Sequence, residues 1–136
     1  MKIINTFLTV LLITLLPCSS WGMHLYELIE RNGLYYPRFS DVPFTGEVTG
    51  GHQGSLKNGN AEGAWFSYHD DGQLRSKGNF KNGEEDGVWV VYWDNGQLRS
   101  KGNYKNGKKE GVWVGWNKIG QSSKKDNYKN GVNITD

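Results

Sequence analysis

Beyond residue 50 the chain alternates apolar and polar positions in short runs, with a glycine every few residues. Ala64, Phe66 and Tyr68 are spaced by two, as are Val88, Val90 and Tyr92, and then Val112, Val114 and Trp116. A period of two marks a strand with one face turned inward. These nine positions are therefore the predicted core face. Trp65, Trp89 and Trp113 fall one residue out of phase and should point to the opposite side, unless a bulge at Gly63, Gly87 and Gly111 moves the register. A second run in each unit places Leu74 and Phe80 on one side, with Leu98 and Tyr104 as counterparts. Arg75, Lys77 and Lys81 share its other side, matched by Arg99, Lys101 and Lys105. The frequent glycines disfavour helix.

The pattern repeats. Gly54–Lys77, Gly78–Lys101 and Gly102–Lys125 align without a gap, and a partial unit follows at 126–136. The first two units agree at 14 of 24 positions and the next two at 12. Asn58-Gly59, Asn82-Gly83, Asn106-Gly107 and Asn130-Gly131 mark one turn of each unit. Asp71-Gly72 and Asn95-Gly96 mark the other, where the third unit has Ile119-Gly120. Both dipeptides suit type I′ hairpin turns. The connection from Asn82 through Glu84, Glu85 and Asp86 to Gly87 reads as longer. The predicted fold is thus all-β, with tandem 24-residue antiparallel hairpins forming an elongated, twisted, single-layer sheet. Residues 23–53 are predicted to form an N-terminal cap containing a degenerate repeat, anchored by Tyr35, Tyr36, Phe39 and Phe44, with Gly46–Gly50 as a shortened first strand.

Residues 1–22 have the pattern of a signal peptide. Lys2 supplies a positive start, Ile3–Leu16 an apolar stretch, and Ser20 and Gly22 small residues three and one positions before Met23. Export to the periplasm or the medium is expected. The single cysteine, Cys18, follows Leu15-Leu16-Pro17 and resembles a lipobox, though Pro17 replaces the small residue that pattern wants. Lipid anchoring through Cys18 is the lesser alternative. Cleavage after Gly22 would leave no cysteine, so stability would rest on packing.

Composition changes the picture mainly by exclusion. Six Trp, seven Tyr and five Phe argue for a packed protein. A formal charge of +2, from 16 basic and 14 acidic residues, gives no general attraction to nucleic acid. His24, His52 and His69 fall at unrelated repeat positions, which gives no metal-ligand spacing. Ser76 and Ser100 recur within strands, not on a nucleophile elbow. Glu62, Asp86 and Glu110 recur at one turn position and read as solvated charges. No catalytic activity, cofactor or small-molecule substrate is therefore expected.

The unit G-N-Y-K-N-G-x-x-x-G-x-W-x-x-Y-x-x-x-G-Q-L resembles the MORN repeat variant. Gly83, Gly87, Trp89, Tyr92 and Gly96 carry the resemblance in the second unit; Gly107, Gly111, Trp113 and Gly120 carry it in the third, where Trp116 replaces the Tyr. The cap motifs Arg31-Asn32-Gly33-Leu34-Tyr35-Tyr36 and Pro43-Phe44-Thr45-Gly46 are similar to the YwqK-type bacterial family, labelled toxin–antitoxin antitoxins. The first resemblance implies a scaffold for protein or membrane contacts. The second implies an inhibitor of a protein toxin.

Two residue columns are candidates for a binding face. One is Trp65, Trp89 and Trp113, which serve either as packing or as an aromatic stripe for a peptide or glycan. The other is basic: Lys57, Lys81, Lys105 and Lys129, flanked by Arg75, Lys77, Arg99 and Lys101. Such a ladder suits an acidic partner or an anionic membrane surface, or it simply protects a solvated sheet. The expected function is an exported, non-catalytic module that binds protein or scaffolds the envelope. The alternatives are a membrane- or cell-wall-associated module using the basic face, and an antitoxin-like inhibitor.

Overall fold

The computed structural model describes residues 22–135. The signal segment lies outside them apart from Gly22, and Cys18 lies outside altogether. Thirteen strands follow in order among the described residues: β1 Met23–His24, β2 Leu28–Arg31, β3 Leu34–Pro37, β4 Gly46–Thr49, β5 His52–Lys57, β6 Asn60–Tyr68, β7 Leu74–Lys81, β8 Glu84–Glu85, β9 Gly87–Tyr92, β10 Leu98–Lys105, β11 Lys108–Trp116, β12 Ser122–Lys129 and β13 Val132–Asn133. A single 3-10 turn, Leu25–Glu27, separates β1 from β2. All but β2 and β3 join one sheet in the order β1-β4-β5-β6-β7-β9-β10-β11-β12-β13, with β8 paired to β7. Only β1–β4 is parallel; the remainder is an antiparallel meander. This is the all-β array of hairpins that the repeat predicted.

Both predicted turns exist, but they differ in kind. Asn58, Asn82, Asn106 and Asn130 have φ between 49° and 51°, each followed by a glycine at positive φ. Two consecutive left-handed residues make the type I′ turn, and asparagine tolerates that region better than other side chains. The hairpin across Asn82-Gly83 is tight, since Glu84 pairs with Lys81. The longer connection read from Asn82 to Gly87 is therefore corrected: a break at Asp86 separates β8 from β9. At the second turn only Gly72, Gly96 and Gly120 have positive φ. The Gly72 N–H donates to the His69 carbonyl and the His69 N–H to that of Gln73, a longer loop closed by one left-handed residue. Such a loop accepts β-branched Ile119 before Gly120, which a type I′ turn would not.

The core lies mainly on the side opposite to the one that alternation suggested, although Val90, one of the nine predicted positions, is buried too. Trp65 is 8% exposed and Trp113 is similarly buried, whereas Val88 and Val112 are about half exposed at 51% and 49%. Ala64 is exposed as well. Trp65 pairs with Gly78 and Trp89 with Gly102. Each ring lies over the glycine that opens its own unit: a Cβ at Gly54 would overlap Trp65, at Gly78 Trp89, and at Gly102 Trp113. Bare backbone beside each indole is what allows that face to close. Phe80 and Tyr104 fill the gaps, so Trp65, Phe80, Trp89, Tyr104 and Trp113 form a continuous edge-to-face series with centroids 5.0–6.0 Å apart. Such pairs contribute about 0.5–1.5 kcal/mol each beyond area burial.

The cap covers one end of this aromatic face. Leu28, Val48, Leu56, Ala61 and Trp65 form the buried cluster, with Met23, Leu25, Tyr35, Phe44 and Phe80 packed against it. Tyr35 and Phe44 are thus anchors as predicted. Phe39 is not: it is fully exposed, at 105%, in a left-handed turn. Tyr36 instead carries the Arg31 guanidinium 4.0 Å from its ring centroid. Successive units are stitched at the Asn-Gly turns, where the Gly83, Gly107 and Gly131 N–H groups donate to the carbonyls of Ala61, Glu85 and Lys109.

Candidate binding face

The face away from the indoles is built by one cross-strand row. Gln53 pairs with Phe66, Phe66 with Lys77, Lys77 with Val90, Val90 with Lys101, Lys101 with Val114 and Val114 with Lys125. Apolar and cationic side chains therefore alternate across the sheet, strand by strand. A parallel row holds Ala64 opposite Asn79, Val88 opposite Asn103 and Val112 opposite Asn127. Strands β6, β9 and β11 thus present apolar side chains, and β7, β10 and β12 present Lys and Asn between them. Neighbouring strands lie about 4.8 Å apart, so like residues recur at ~10 Å.

Exposure along this row is uneven for a physical reason. Val90 is only 8% exposed between Lys77 and Lys101. Lysine stems can lie over an apolar neighbour while their ammonium groups stay in water. Among the described residues, Lys77, Lys101 and Lys125 have no carboxylate at ion-pair distance; the ion pairs are Arg31–Asp41, Lys118–Asp94 and Lys124–Asp126. At its β5 end the face dips into an open depression of about 580 Å³ lined by residues that include Glu47, Gln53, Ala64 and Phe66.

The residues singled out from sequence do not form one surface. Lys77, Lys81, Lys101 and Lys105 lie on the open face, while Trp65, Trp89 and Trp113 line the other side. Arg75 and Arg99 are exposed like the lysines of their strands but lie where the cross-strand register breaks. Register shifts between Ser67 and Tyr68, and between Leu98 and Ser100, make them the extra residues of β-bulges. Arg99 instead stacks over Trp93, 4.6 Å from the ring centroid. Lys125 belongs to the row and was missed as a site residue. It occupies the same repeat position as Lys77 and Lys101, which was the available signal.

Residues 61–82 and 85–106 match the family model of the MORN repeat variant. The two adjacent matches span β6 to β10, the stretch with Trp65, Trp89 and the start of the lysine row. No curated protein and no solved structure matches the chain. The glycine of the recurring Gly-x-Trp (Gly63, Gly87, Gly111) has positive φ; Gly63 and Gly87 lie within the matched segments.

The recurring carboxylates also gain a role. Glu62 Oε2 accepts the Asn82 N–H at 2.9 Å, and Glu110 Oε2 accepts that of Asn130 at 2.7 Å. Each reaches the Asn-Gly turn of the next hairpin. Thr45 does the same for Asn58 at the cap, 2.8 Å away. Reading Glu62 and Glu110 as merely solvated charges is therefore corrected. On the indole side Tyr104 has a raised pKa, chiefly through burial and then through the Glu85 and Tyr128 negative charges. Among the described residues no group of three or more His, Cys, Asp or Glu side chains could hold a metal ion. No described helix is long and apolar enough to cross a membrane.

Proposed function

We propose that this protein is an exported, non-catalytic MORN-variant module that binds another protein through its open sheet face. The observation that carries the reading is the uncovered row from Phe66 to Lys125, in which three unpaired lysines alternate with apolar side chains. The indole side is occupied by its own packing, so its rings are committed to holding strands together. Export rests on the basic, apolar and small-residue pattern of residues 1–22. An exported location also separates the protein from the cytosolic toxin that an antitoxin would guard against.

Site-specific photo-crosslinking tests the binding reading. A photoreactive residue at Val88 or Val112, on the open face, should give a discrete crosslinked protein band in the envelope fraction. The same probe at Gln97, on a loop, should give none. Crosslinks from the loop and none from the face would refute it. Fractionation with N-terminal sequencing tests export, and should find mature chains that begin near Met23 outside the cytoplasm.

A further inference from the structure

The open face has a repeat length of its own, and that length selects among partners. Lys77, Lys101 and Lys125 stand on every second strand, about 10 Å apart, and span about 19 Å across four strand spacings. Val90 and Val114 lie midway between them in the same row. Asn79, Asn103 and Asn127 flank the lysines two residues along their strands and offer amide groups. A complementary ligand needs carboxylates at ~10 Å with an apolar group between each pair. An α-helix rises 1.5 Å per residue, so positions seven apart are about 10.5 Å apart on one side and fifteen residues cover about 21 Å. Positions three and four residues on fall between them on the same side.

We infer that the open face binds an acidic amphipathic helix of a protein partner. Glu or Asp side chains at seventh positions meet Lys77, Lys101 and Lys125, and aliphatic side chains between them meet Val114 and the small exposed part of Val90. The inference rests on the open face being the working surface. A narrow rod fits the charge distribution better than a flat anionic surface does. Lys81 is paired to the exposed Glu84, four residues along the strand from Lys77 and about 13 Å away. A broad negative plane would meet that acid together with the lysines, whereas a helix lying along the row would not.

The probe is a labelled synthetic helical peptide with Glu at positions 3, 10 and 17 and Leu at 6, 7, 13 and 14. Its control has the same composition, with the glutamates spread around the helix. Anisotropy at low salt with the mature protein should show at least tenfold tighter binding of the patterned peptide. Triple substitution K77Q/K101Q/K125Q, with far-UV circular dichroism unchanged, should remove that preference and leave the control peptide's affinity within about twofold. Should the triple variant fail to fold, methyl shifts of Val90 and Val114 in the wild-type protein on peptide addition give the same answer. Equal affinity for the two peptides overturns the inference, as does peptide binding that leaves those methyls unmoved. Lysine-dependent binding to phosphatidylglycerol vesicles without any peptide preference overturns it in favour of a lipid surface. Envelope crosslinks from Val88 that persist while the peptide preference is absent sink the helix alone and leave the protein-binding reading standing.

Discussion

The indole of Trp89 lies across Gly78 on the neighbouring strand, so close that a methyl group on Gly78 would overlap the ring. The same relationship joins Trp65 to Gly54 and Trp113 to Gly102. It sets which side of the sheet is closed. Gly78→Ala should therefore push the Trp89 ring out of its edge-to-face contacts with Phe80 and Tyr104 and destabilise the protein by about 1–3 kcal/mol. Gly51→Ala is the matched control, because nothing lies within 4 Å of a Cβ there and its backbone is not left-handed. Its effect should stay within about 0.5 kcal/mol. Urea melts of the two variants check the contrast.

That relationship also explains how much was legible beforehand. Strands, Asn-Gly turns and repeat boundaries followed from local chemistry, since each needs only a few adjacent residues. The inward face did not, because alternation in β6 offers two apolar sets, Phe66 with Tyr68 and Trp65 alone. The choice is made by the seat of the Trp65 ring over Gly54 on the neighbouring strand, which a period-two reading of one strand does not contain. A column of mid-strand glycines one unit apart was the signal that large rings would lie over them. The bulges at Arg75 and Arg99 escaped for a similar reason: one unpaired residue shifts the phase of everything beyond it. Lys77 and Lys101 kept their predicted side because they lie on the strand-centre side of those two bulges.

A positive φ at Gly87 makes a second substitution informative. The backbone there has φ of 82° and open space around it, so conformation and not crowding is at issue. Gly87→Val should cost at least ~1–2 kcal/mol, the penalty of a left-handed position for an L residue, and more for a β-branched one. Glu84→Ala, on the exposed strand three residues earlier, should change stability by less than ~0.5 kcal/mol. Equal urea midpoints for the two would contradict the assignment of Gly87 to a constrained entry into β9.

Alkaline pH probes the aromatic face. Tyr104 is held protonated above the usual phenol range near 10, first by burial and then by Glu85 and Tyr128. A raised folded-state pKa means that the unfolded chain loses its proton first. Stability from this group is thus complete below about pH 10 and falls as pH rises through the folded pKa. Tyr104→Phe keeps the ring contacts with Trp89 and Trp113 but removes the ionisation. The variant should lose less stability than the wild type between pH 9.5 and pH 11, as thermal melts would show. Parallel curves would place the alkaline sensitivity elsewhere, and Tyr35, raised by burial and Glu30, is the next group to substitute.

One substitution should make the protein more stable. Glu62 and Glu110 each accept the backbone N–H of the Asn-Gly turn in the next hairpin, but the middle unit has Asp86 at the equivalent position. One methylene shorter, Asp86 makes no such bond to Asn106, so that turn lacks the clamp its neighbours have. Asp86→Glu supplies the missing reach without changing charge. The bond sits at an exposed turn, so the gain should be modest, about 0.5–1 kcal/mol. Glu62→Ala should cost a similar amount by removing the existing clamp on Asn82. The two effects should add within about 0.5 kcal/mol in the double variant, since the turns at Asn82 and Asn106 share neither donor nor acceptor. Urea melts give the stabilities, and amide exchange gives the location: the Asn106 N–H should slow in Asp86→Glu, and that of Asn82 should quicken in Glu62→Ala. A stabilised Asp86→Glu protein whose Asn106 amide exchanges as before would mean that the added methylene acts by packing, and the clamp would lose its claim to recur.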